Sequence, residues 1–145
     1  MTSPFPHRYI VSLAHDELFA PPRQPIRAGA PPQFGGSEQV WSPEELLVAS
    51  AMLCLKTTFD AFARRENLAV LDWQAVGTGT LVKAAGGPTF SSIELDVALT
   101  TMPGDETRAT DVLQQAERHC IIANALKVPV HVRSTATAAA ASAAS

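Results

Sequence analysis

The sequence has no CxxC pair, no basic run longer than Arg64-Arg65 and no unbroken apolar stretch beyond ten residues. Each absence excludes something. A formal charge of −3 with scattered Lys and Arg leaves no footprint for nucleic acid. The longest apolar run, "LLVASAMLCL", stops at Lys56, about half of what a bilayer needs, so no membrane span is expected. The start, "MTSPFPHRYIV", lacks a charged segment leading into an apolar one, so no secretory signal is expected. The expected compartment is the cytoplasm, where a purely structural disulfide is rare. No P-loop, GxGxxG or Ser-His-Asp elbow is present, so no cofactor is expected.

What remains is a chain of 145 residues, 46% hydrophobic and 17% charged, of a size that buries roughly 70% of its unfolded surface in one domain. That domain is expected over 1–135, followed by a low-complexity, disordered Ala-rich tail over 136–145. "HRYIVSLA" (7–14) reads as a first strand. The next segment, "FAPPRQPIRAGAPPQFGG", holds five of the eleven prolines and three of the eight glycines, so it is looped.

A helix start follows with unusual clarity. Ser42 stands at the N-cap, Pro43 at the first helical position and Glu45 three after the cap, which is a capping box with the favoured proline. The helix should run to about Arg65 and end near Asn67. In its first half Leu46, Leu47, Val48, Ala51, Met52, Leu53 and Leu55 cover most of the circumference. A helix apolar all round must be buried on all sides. One small domain has trouble surrounding it, which argues for a partner chain.

Strands are expected over 69–83, with a possible break at Gly77 or Gly79, and over 91–100, where Ile93, Leu95, Val97 and Leu99 alternate on one face. A turn falls at 86–88. A second helix, about 105–125, carries Ala109, Val112, Leu113, Ala116 and Cys120 on one stripe, and a last strand spans 128–135. The order of elements gives an α+β fold with segregated sheets.

Two cysteines, 66 positions apart, are the residues most open to chemistry. Cys54 lies three turns into its helix, beyond reach of the dipole at the N-terminus, and burial alone would account for it. The same holds for Cys120 on its inward stripe. If the two helices cross, however, a thiol pair or a disulfide becomes accessible, with Cα atoms within about 7 Å. A zinc site from Cys54, His119, Cys120 and His131 lacks ligand spacing, and no metal is expected. Glu44 suits the helix dipole at its position, and it lies roughly 15 Å from Cys54 along a straight helix.

The segments "PPQFGG…WSPEELLVASAMLC" and "AERHCIIANAL" resemble the OsmC/Ohr family, the osmotically inducible protein C and organic hydroperoxide resistance proteins. The resemblance runs from about residue 7 to 132. It implies an intertwined homodimer with antiparallel sheets and two central cysteine-bearing helices. It also implies a cysteine-based peroxidase that reduces organic hydroperoxides in oxidative-stress defence. On that basis Cys54 would be the peroxidatic thiolate, Cys120 the resolving thiol that forms a disulfide with it, and a lipoyl-type dithiol the reductant. Glu44 would organise the thiolate together with an arginine from the N-terminal segment. Arg23 and Arg27 are the candidates for that arginine, with Arg8 behind them. The family often places proline after the second cysteine, where this chain has Ile121. The contrasting reading is a non-catalytic or weakly catalytic protein of the same fold that binds a small apolar ligand at the dimer interface.

Overall fold

The computed structural model describes residues 5–140 and divides into two compact units, Met1–Leu46 and Leu47–Ser145. The expectations for residues 1–4 and 141–145 lie outside the described residues.

In the N-terminal unit, β1 (Ser12–Ala14), β2 (Glu17–Phe19) and β3 (Ile26–Arg27) form a small antiparallel sheet in that order. The expected strand over 7–14 is shorter, because only Ser12, Leu13 and Ala14 find partners on β2. His15 and Asp16 make the turn with positive φ, a conformation that Asp and His adopt more readily than most residues. Beyond β3, the proline-rich segment is irregular save for one 3₁₀ turn at Pro32–Phe34.

Helix α1 (Pro43–Arg65) starts as its sequence dictates. The Ser42 hydroxyl accepts the Glu45 N–H at 3.1 Å, and the Glu45 carboxylate accepts both the Ser42 N–H at 3.1 Å and its hydroxyl at 2.9 Å. A cap of this kind contributes about 1 kcal/mol. The helix closes with Asn67 at φ 53 and the Leu68 N–H bonded to the Ala63 carbonyl at 2.8 Å. That is the left-handed stop that satisfies the last carbonyls.

The second unit is a three-stranded sheet of β4 (Val70–Ala84), β5 (Gly87–Thr101) and β6 (Val130–Ala138), in the order β4-β5-β6. Strand β4 is not broken at its glycines. Gly77 and Gly79 are places where α1 sits directly on the sheet: a Cβ on either would lie 2.7 Å from a Val48 methyl. The alternation read in 91–100 is borne out, with Ile93, Leu95, Val97 and Leu99 all buried. They pack against Leu55, Phe59 and Ala63 of α1 and against Ala109, Val112, Leu113 and Ala116 of α2 (Glu106–Arg118).

Two features differ from expectation. The sheet is mixed, because β6 runs parallel to β5. The helical segment between them is a crossover, and a crossover returns the chain in the same direction. In addition, β6 continues three residues into the Ala-rich tail, where Ala136 packs on the core and the Ala139 N–H bonds the Thr101 carbonyl at 2.8 Å.

By length and composition alone α1 is long and apolar enough to cross a membrane. The ten-residue stretch ending at Leu55 understates this, because Lys56 and Asp60 interrupt the apolar helix yet neutralise each other one turn apart at 2.7 Å. In the fold, α1 buries Ala51, Leu55, Phe59 and Ala63 in the core.

Candidate active site

The second helix breaks at its cysteine. Helix α2 ends at Arg118, and a short α3 (Ile121–Ala125) begins after Cys120, whose ψ of 112° is extended. Cys120 is therefore the N-cap of α3 and not one more residue on a continuous stripe. No proline or glycine marks the break in the sequence. Asn124 spans it: its N–H bonds the Cys120 carbonyl at 3.0 Å, and its side-chain amide donates to the Arg118 carbonyl at 3.2 Å. The break frees the first amides of α3 from helical bonding, since the opening donors of any helix lack partners.

Those amides turn toward Cys54. Burial raises the Cys54 thiol above its ordinary pKa, but hydrogen bonding from the Ile122 amide, the Cys120 thiol, the Ile121 amide and the Thr58 hydroxyl outweighs it. The net shift is downward. Cys120, 2% exposed, moves the other way. Its burial is the largest cause; the Ala123 and Ile122 amides oppose the rise, and the hydrogen bond and charge of Cys54 add to it. Both cysteines are free thiols. The structure thus brings together two sulfurs far apart in sequence and gives them opposite tendencies to ionise.

Beside Cys54 lies an open groove of about 580 Å³, lined in part by Thr58, Phe62, His119 and Ile121. The Phe62 and His119 rings are 5.5 Å apart, and the Arg65 guanidinium stacks 5.1 Å from the Phe62 ring.

Glu44 sits at the second helical position of α1, and its Oε1 is buried with no hydrogen-bond partner among the described residues. In the N-terminal unit Arg23 occupies a turn, where its guanidinium donates to the Ala20 carbonyl at 3.3 Å, and Arg27 stands exposed on β3. No arginine is among the groups that lower the Cys54 thiol. His119 and His131 are exposed, and no group of three metal-ligating side chains converges among the described residues. The donors from Ile121 and Ile122 escaped the sequence reading, since an amide carries no residue signature and the break exposing them lacks its usual proline.

Two sheets, a long apolar helix and a thiol pair held at a helix break define a thiol-bearing α+β protein. The model of the OsmC-like protein family matches residues 36–135, and the chain belongs to that family. No match is found among curated proteins. Among solved structures, an OsmC-like protein from Mycoplasma pneumoniae superposes with a TM-score of 0.77 at 17% identity, over 92% of this chain and 99% of that one. An OsmC-like protein of unknown function from Vibrio cholerae gives 0.74 at 20% identity, over 82% of each chain. An organic hydroperoxide resistance protein from Elizabethkingia anophelis gives 0.70 at 15% identity, over 96% of this chain and 100% of that one. At these identities the likeness is one of fold.

Proposed function

We propose that this protein is a cytoplasmic, homodimeric thiol peroxidase that reduces organic hydroperoxides in oxidative-stress defence. The observation that carries the reading is the meeting of Cys54 and Cys120 with opposite pKa shifts. Only a thiolate attacks peroxide efficiently, and Cys54 is the sulfur surrounded by donors that favour one. Its thiolate attacks the outer peroxide oxygen, the O–O bond breaks, and an alcohol leaves after taking a proton. Cys54 is then a sulfenic acid. The Cys120 sulfur displaces its hydroxyl as water and closes a disulfide. A lipoyl-type dithiol returns both thiols by exchange.

The groove formed by Thr58, Phe62 and Ile121 supports an organic substrate, because it offers apolar surface next to the Cys54 donors. Glu44 supports an arginine-assisted site, since a buried carboxylate oxygen without a partner calls for a donor. Arg23 and Arg27 remain the proposed sources of that donor. A second reading, a binder of a small apolar ligand at the dimer interface, draws on one observation: the groups lowering Cys54 include no cation.

Single-turnover peroxide consumption separates the two. Cys54→Ser should abolish the reaction. Cys120→Ser should complete one turnover and stall as the sulfenic acid, and Glu44→Gln should slow the first step without removing it. Full activity in both cysteine variants would leave the binding reading in its place.

A further inference from the structure

A second cavity, of about 350 Å³, reaches Cys120 but not Cys54. Leu95, Val130 and Val132 form its apolar wall, and Glu117, Asn124 and Lys127 supply its polar lining. The groove beside Cys54 shares none of these residues. Cys120 thus lines one opening, while Thr58 and Ile121, which bond Cys54, line a separate one within the same unit.

Resting on the peroxidase reading, we propose that the reductant reaches the oxidised protein through this cavity and attacks Cys120, with Cys54 as the departing sulfur. The reductant is a small dithiol, or a dithiol at the end of a flexible arm. A cavity near the lower end of the usual ligand range takes a slender group and not a thiol fixed in a protein surface. One thiolate of the reductant bonds to the Cys120 sulfur, and the Cys54–Cys120 bond breaks with its electron pair on Cys54. The second thiol of the reductant then attacks its own sulfur in the mixed disulfide. That closes a cyclic disulfide and releases Cys120, which takes up a proton. Two electrons pass from the dithiol to the protein.

Leaving-group chemistry points the same way as the geometry. In thiol–disulfide exchange the sulfur with the lower pKa departs faster, and the donors around Cys54 lower its pKa while burial raises that of Cys120. Exposure alone would favour attack on Cys54, the less buried of the two. The sulfur that carries the adduct therefore separates the two routes.

The full-length wild-type protein, oxidised with diamide so that no peroxide is needed, is treated with 2-mercaptoethanol. It is then quenched with acid and N-ethylmaleimide and mapped by mass spectrometry. The expected product carries mercaptoethanol on Cys120 and maleimide on Cys54, in at least tenfold excess over the reverse. The reverse distribution, or failure of diamide to form the disulfide, overturns the proposal. Val128, which also lines the cavity, provides a second measurement. Val128→Phe should slow reduction of the disulfide by dithiothreitol at least tenfold and leave its formation by diamide unchanged; an unaltered reduction rate counts against the route. Failure to consume hydroperoxide, with the Cys120 adduct still formed, would sink the peroxidase reading alone.

Discussion

The Cys120 sulfur lies 4.0 Å from the carbonyl oxygen of Ala51, one turn before Cys54 on α1. That contact holds the buried sulfur against the helix that carries its partner. Burial raises the pKa of Cys120 there, while Cys54 collects donors.

Alkylation should read this asymmetry directly. The folded state lowers the Cys54 pKa, so its thiolate is populated at a lower pH than in an unfolded chain. Its iodoacetamide rate should accordingly reach a plateau at lower pH than that of a free cysteine. Cys120, whose pKa burial raises, should react only above that range. Peptide mapping across pH 5–10 checks both, and equal rates at both cysteines would contradict the assignment.

The seating of α1 on the sheet depends on two missing side chains. Gly77→Ala would set a Cβ 2.7 Å from a Val48 methyl, and Gly79→Ala would add a 2.9 Å approach to the Phe90 ring. Val48 is short and branched, so it cannot swing aside. Overpacking of this kind costs about 1–3 kcal/mol. Urea melts should show that loss for either variant, and Val48→Ala should recover part of it in combination with Gly77→Ala. Strict additivity of the two changes would mean that the contact is not the cause.

Large apolar side chains stand exposed on each unit of the single chain. Tyr9 and Ile10 in the first are 90% and 81% exposed; Leu53 and Ile121 in the second are 63% and 75% exposed. A partner chain would cover apolar surface of this kind. Light scattering after gel filtration should give twice the 15.4 kDa chain mass at micromolar concentration. A monomer there would refute the dimer.

Local signals carried the sequence reading furthest. The Ser42–Glu45 cap and the alternation of Ile93 to Leu99 were legible because each is encoded within a few neighbouring residues. Gly77 and Gly79 looked like breaks because their reason, the approach of Val48, comes from another element. The direction of β6 was hidden for the same cause: pairing depends on how the crossover returns. At the candidate site both sulfurs were legible, but the break before Ile121 was not. Arg118, His119 and Cys120 read as helix, and the donors that matter to Cys54 belong to the backbone.

The parallel alignment of β5 and β6 makes the thiol pair a late marker of chain topology. The β4–β5 hairpin closes through a short turn and needs few distant contacts, whereas β6 can pair only after the whole crossover has been laid down. Pairings over long sequence separation come at a high entropic cost and form slowly. Cys120 lies inside that crossover, so a newly made or partly unfolded chain should hold two independent thiols, which meet only once the sheet is complete. Pulse-labelled hydrogen exchange during refolding should accordingly protect β4 and β5 before β6, with thiol coupling appearing in the last phase. Coupling that preceded β6 protection would separate the chemistry from the topology.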